Sequence, residues 1–335
     1  MKNDVISAFP DRRIPVKRPS KETQNHAGLV YLASGIDPYV DTKNSYIEAY
    51  RSLGIDILNR VPESNVVKTL KTGERLPCGN GYKRAYIGLF DTYFRERYPY
   101  TDVDEFFAAE DFELDYHDLI TPVPHKLEGN TIRRKMDIAG EVGLYYYMLY
   151  TTLFMGGVEY LGWEVFMMAA TLEPELFIQK ILRRAFEKSK GYIAELAEVD
   201  IPYVFVHDDL ADKSGPVFSP DWYDTYIFPR YPELWRPVKE KGKKVIFTAD
   251  GIVICGMDTY LLTFGTPEEI TREVDLISRK TEGMAGFALC SPGGLHNNIP
   301  IENLEAYFDA RVRAGFTPEG WKKGNREYAK RLVRD

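Results

Sequence analysis

Apolar residues in this chain fall into short unbroken runs, separated by longer stretches in which they recur every three or four positions. That alternation predicts strands and helices in turn. Tyr203 to Val206 is one such run, and it stops at His207, Asp208 and Asp209. Ser219-Pro220-Asp221 then opens a helix, with serine as N-cap, proline at the first helical position and the acid in the positive first turn. The helix is expected to run to about Gly242. Lys244 to Thr248 forms the next strand, ending at Asp250. One strand–helix–strand unit therefore delivers two acidic clusters to a single rim.

The same reading extends along the chain. Asp11 to Glu22, with two prolines and a basic character, is an extended lead-in: a solvated arm or an anion-binding one. Gly28 to Ala33 is a strand candidate, Asp41 to Leu53 a helix, and Ile55 to Val61 a second strand that carries Asp56. Residues 64 to 135 are more polar, with a turn at Gly79-Asn80-Gly81 and an alternating strand over Tyr86 to Tyr93; they read as an inserted hairpin or lid. Its histidines, His117 and His125, are expected to be structural. Gly143 to Met155 ends in a buried strand closed by Gly156-Gly157, and Glu173-Pro174 opens a long amphipathic helix through Glu198. Ile252 to Cys255 is a strand ending at Asp258. Thr266 to Glu269 is a capping box, Gly286 to Leu289 the last strand, and Ile301 to Ala314 the closing helix.

Strands alternating with helices over 335 residues argue for one domain with a parallel sheet, and seven or eight strands suggest a (β/α)8 barrel. One junction breaks the pattern. Lys244–Thr248 and Ile252–Cys255 are only a few residues apart, whereas parallel neighbours need a crossover of about a dozen or more. The sequence therefore predicts a hairpin there, or a missing helix–strand unit near Gly251–Ile252.

Composition narrows the partners. A net charge of -7 disfavours nucleic acid and anionic membrane. No apolar run is long enough to span a bilayer, and the first residues lack the apolar core of a signal peptide. Three scattered cysteines argue against a disulfide framework and for a reducing cytoplasm. Glu159 and Glu164, acids in an apolar stretch, are either general acids with raised pKa or helix-start acids favoured by the dipole.

The stretches HDDLADKSGPVFSPDWYDTYIFPRY, KVIFTADG, GMDTYLLTFGTPEEI and SPGGLHNNIPIENLEAYFDA resemble the uroporphyrinogen decarboxylase superfamily, which includes that decarboxylase and the cobamide-dependent methyltransferases. The resemblance is strong over about residues 200 to 315. It implies an eight-stranded barrel with its site at the C-terminal rim, and one more helix–strand–helix unit between the TADG and GMDT segments than this chain carries.

The decarboxylase branch grips its substrate with an N-terminal Arg-Gln-Ala-Gly-Arg run and a strand-borne aspartate. Asp56 stands where that aspartate falls, but the arginine run is missing, which demotes an octa-acidic substrate. The methyltransferase branch binds zinc with His-x-Cys and a later cysteine. Here Thr248 and Asp250 occupy the first two positions, so the candidate metal set is Asp250, Cys290 and His296.

The leading expectation is methyl transfer from a small methylated compound, such as a methoxyaromatic, to a corrinoid protein carrying the cobamide. His207, Asp208, Asp209, Asp250, His296 and Glu164 are the catalytic candidates. Glu159, Trp163, Tyr150, Trp222, Asp56 and Asp258 are the substrate-binding ones, the aromatics as stacking surfaces. The runner-up is a tetrapyrrole decarboxylase using Asp56 with Arg12, Arg13, Lys17 and Arg18. A ligand-binding barrel without catalysis is the third reading.

Overall fold

The computed structural model describes residues 18–66, 74–79, 82–86, 88–89, 91–109, 129–140, 142–149, 152–212, 215–248, 256–284, 287–291 and 293–334. In chain order the elements are β1 (Lys21–Glu22), α1 (Ala27–Ser34), α2 (Thr42–Leu53), β2 (Ile57–Leu58), β3 (Arg75–Gly79), β4 (Tyr82–Tyr86), β5 (Asp91–Arg95), α3 (Val103–Ala108) and α4 (Gly129–Gly140). Next come β6 (Leu144–Tyr145), β7 (Met148–Leu149), α5 (Phe154–Leu161), α6 (Trp163–Leu172), α7 (Pro174–Phe177), a π-helical turn at Ile178–Leu182 and α8 (Arg183–Glu198). The remainder is β8 (Tyr203–His207), the small hairpin β9 (Ala211–Asp212) and β10 (Gly215–Pro216), α9 (Pro220–Tyr226), α10 (Tyr231–Glu240), β11 (Lys244–Thr248), α11 (Thr259–Phe264), α12 (Pro267–Lys280), α13 (Ile301–Arg313) and α14 (Arg326–Arg334).

The protein is mixed α/β with two parallel sheets, ordered β1-β2-β6 and β7-β8-β11. They share one segment, since Leu144–Leu149 supplies both β6 and β7. Beyond β1, parallel bridges join Ser20 to Leu289 and Gln24 to Leu295. The amides of Gly256 and Met257 reach the Cys290 carbonyl. No closed barrel is formed among the described residues, and the expected junction at Gly251–Ile252 lies outside them.

Strand side chains alternate between two cores. Ile57, Leu144, Tyr146, Tyr203, Phe205 and Ala288 form one cluster, with Met148 and Ile246 against it. Val204 and Val206 join the larger core made with the helices. This period of two decides where the end of β8 points. His207 continues the face of Tyr203 and Phe205, and Asp208 continues the face of Val204 and Val206.

Several sequence expectations change. Gly28–Ala33 is helical, because His26 Nδ1 accepts from Leu29 N at 3.0 Å as an N-cap and Gly35 closes the helix at φ 75°. An all-apolar run of that length carries no period to separate helix from strand. The first strand lies earlier, within the expected lead-in. Tyr86–Tyr93 is not one strand: β4 ends at Tyr86 and β5 begins at Asp91, and with β3 they make a separate antiparallel sheet. Gly156 and Gly157 lie inside α5 and do not end a strand. The helix from Ser219 breaks into α9 and α10 around a 3-10 turn at Phe228–Arg230, where Pro229 and Pro232 remove donors. The Thr266–Glu269 capping box is present.

Candidate functional site

The C-terminal end of β8 carries three titratable groups, His207, Asp208 and Asp209. At the end of β8 the His207 ring is buried and its Nε2 lies 2.7 Å from Asp209 Oδ1. In the parallel register Thr248 pairs with His207, so β8 and β11 end at one level. Asp250 follows β11 and lies outside the described residues.

Glu159 joins this group from α5. Burial raises its carboxyl from 4.5 to about 7; the Arg95 guanidinium opposes the rise and the Asp209 carboxylate adds to it. Arg95 comes from β5 of the inserted sheet and donates through Nη1 to the Glu159 carbonyl at 3.1 Å. A carboxyl poised near neutrality beside an imidazole–carboxylate contact can hold a proton and surrender it, the requirement for general acid work.

Asp208 has a different role from its neighbours. It is fully buried, and its oxygens accept from Leu153 N at 2.9 Å, Phe154 N at 3.2 Å, Met155 N at 2.7 Å, Tyr231 Oη at 2.8 Å and the Thr152 hydroxyl. Leu153 itself offers no side-chain cap to α5, so Asp208 supplies the cap from another strand. Burial raises its pKa and these donors pull it back. The carboxylate is spent on anchoring α5, which in turn carries Glu159.

The other sequence candidates scatter. Glu164 is exposed in the first turn of α6, as a dipole-favoured acid would be. Trp163 is 45% exposed. Trp222 stacks on Phe218 at 4.1 Å and donates from Nε1 to the Ala170 carbonyl at 3.3 Å, a packing role. Asp258 is the exposed N-cap of α11. Asp56 is buried and accepts from Ser20 N at 3.0 Å. Arg18 binds Ser278 Oγ and Thr281 Oγ1 ahead of β1, at the opposite end from His207. Tyr150, Arg12, Arg13 and Lys17 lie outside the described residues.

Cys290 is fully buried and His296 partly so, with burial lowering the pKa of the imidazole. Among the described residues no three His, Cys, Asp or Glu side chains are grouped as metal ligands. Asp250, the third member of the expected set, lies outside the described residues.

Arg95, Thr152 and Tyr231 were not singled out from the sequence. Arg95 meets Glu159 across sixty-four positions, and no local pattern announces that contact. Asp208 was separable from His207 by strand alternation alone.

No family model matches the chain, and no curated protein matches it. Among solved structures it is similar to a methyltransferase from Methanosarcina mazei, with 14% identity, 93% of this chain and 98% of that chain covered, and a TM-score of 0.55. At that identity the likeness shows a shared fold. No described helix is long and apolar enough to cross a membrane.

Proposed function

We propose that this chain is an enzyme of the uroporphyrinogen decarboxylase superfamily, built as a (β/α)8-type barrel, that takes a methyl group from a small methylated compound at the C-terminal mouth of its parallel strands. The observation that carries the proposal is the Glu159 carboxyl, raised to about 7 next to Asp209 and Arg95. The separate inner cluster of alternate strand residues supports the barrel, and the similarity to a methyltransferase structure supports methyl transfer as the reaction class.

Displacement at a methyl carbon breaks the bond to a poor leaving heteroatom, and that atom must be protonated as the bond breaks. Glu159 donates the proton. The methyl group passes to the nucleophile, the leaving alcohol or amine departs neutral, and Glu159 is left ionised, so atoms and charge balance. In this reading the His207–Asp209 contact returns a proton to Glu159 for the next turnover. Arg95 holds the Glu159 backbone and limits how far its pKa rises. A corrinoid carried by a partner protein supplies the nucleophile when docked at the mouth.

The test is methyl transfer to reduced cobalamin with a panel of methoxylated aromatics and methylamines. Turnover by the native chain, lowered by about 10²-fold or more in Glu159→Gln, is expected. A variant that retains full activity rejects Glu159 as the acid, and no turnover on any donor rejects the reading.

A further inference from the structure

The mouth contains a second group of residues that the proton relay does not use. β1 is followed by Gln24, Asn25 and His26, and two loops press on this segment. Leu295 N donates to Thr23 O at 2.9 Å and Asn25 N to Leu295 O at 2.9 Å, while a Cβ on Gly294, at φ 79°, would stand 2.9 Å from Thr23 O. From the inserted sheet, Leu89 N donates to Asn25 O at 2.7 Å, and a Cβ on Gly88 would stand 1.7 Å from that oxygen.

These backbone groups are paired; several of the side chains are not. Gln24 is fully buried, yet neither its Nε2 nor its Oε1 has a partner among the described residues. The same holds for Asn25 Oδ1, Asn297 Nδ2 and His296 Nδ1. The orientation of Asn297 is fixed, because its Oδ1 accepts from Ala27 N at 2.9 Å and so leaves the donor end open. His26 is not part of the set, since its ring nitrogens meet Leu29 N and the Ile299 carbonyl. Buried amides are paired in the great majority of cases, and these open groups lie on two segments joined by the Asn25–Leu295 and Ala27–Asn297 hydrogen bonds.

We propose that Gln24, Asn25, His296 and Asn297 form a subsite for an uncharged substrate group that both donates and accepts hydrogen bonds, such as a carboxamide or hydroxyl. The inference rests on the mouth being the reacting end. Asn297 offers a donor, Asn25 an acceptor and Gln24 both. A carboxylate would set acceptor against Asn25 Oδ1, and an ammonium would leave Asn297 Nδ2 unmatched. The subsite therefore selects neutral polar donors over anionic ones.

The experiment measures binding of 4-methoxybenzamide, 4-methoxybenzyl alcohol and 4-methoxybenzoate to the full chain by ligand-observed NMR. The amide and alcohol should bind about tenfold or more tightly than the benzoate. Asn297→Asp keeps the acceptor for Ala27 but replaces the donor with a negative charge, and should weaken the amide and the alcohol while leaving the benzoate no better bound. Gln24→Met should weaken the neutral probes while raising the apo Tm by about 1–3 °C, because an unpaired amide leaves the interior. Equal binding of benzoate and benzamide, no binding by any probe, or a lower Tm in Gln24→Met would overturn the proposal. Neutral-selective binding without methyl transfer would reject the proposed reaction and keep the subsite; turnover without selectivity would reject the subsite alone.

Discussion

Replacing Glu159 by glutamine should flatten the pH dependence of stability as well as remove a proton donor. Raising a carboxyl from 4.5 to about 7 corresponds to about 3 kcal/mol in favour of the neutral form, at about 1.4 kcal/mol per pH decade. Glu159 is partly exposed, and solvent screening reduces that to about 1–2 kcal/mol. Between those two pKa values the folded chain keeps a proton that the unfolded chain has released. Its contribution is therefore fully present below 4.5 and is lost as pH rises through about 7. Glutamine does not titrate. Denaturant midpoints measured at about pH 5 and about pH 8 should show the native chain losing about 1–2 kcal/mol relative to Glu159→Gln. Parallel curves for the two proteins would refute the buried-acid argument, whatever the activity.

Three further perturbations test the frame around the site. Asp208→Asn turns an acceptor into a donor facing backbone amides, and should cost about 2–4 kcal/mol in denaturant unfolding; a neutral result would remove it as the anchor of α5. Gly88→Ala drives a Cβ into Asn25 O, and should release the inserted sheet, seen as faster proteolysis between residues 74 and 109 with the rest protected; unchanged proteolysis would mean that the sheet docks by other contacts. Arg311→Met leaves the Glu22 carboxyl group buried without its cation, at a cost of about 3–5 kcal/mol. Adding Glu22→Gln should restore much of that loss, and failure of the double variant to recover would show that the pair is held by other terms.

The sequence carried the elements better than the site. The Tyr203–Val206 strand, the Ser219 cap and the Thr266 box depend on neighbours a few positions away, and each is present. Gly28–Ala33 failed because six apolar residues show no period; what makes it a helix is a histidine cap just ahead of it. The site depends on distant partners. Glu159 owes its raised carboxyl to burial and to Asp209, against the pull of Arg95, and Gln24, without a side-chain partner among the described residues, is buried where loops from two other parts of the chain meet the segment after β1. The acidic triplet after β8 was visible as a group, but the division of labour within it comes from the alternation of the strand: His207 toward one core, Asp208 toward the other.

The most direct measurement is a crystal structure with the best methyl donor of the panel bound. The account predicts the methyl-bearing heteroatom within hydrogen-bond reach of the Glu159 carboxyl, with the donor's polar end against Gln24 and Asn297. A donor seated in the groove beside α12 lined by Glu269, Arg272 and Glu273, or at the Arg18 end of the strands, would contradict it.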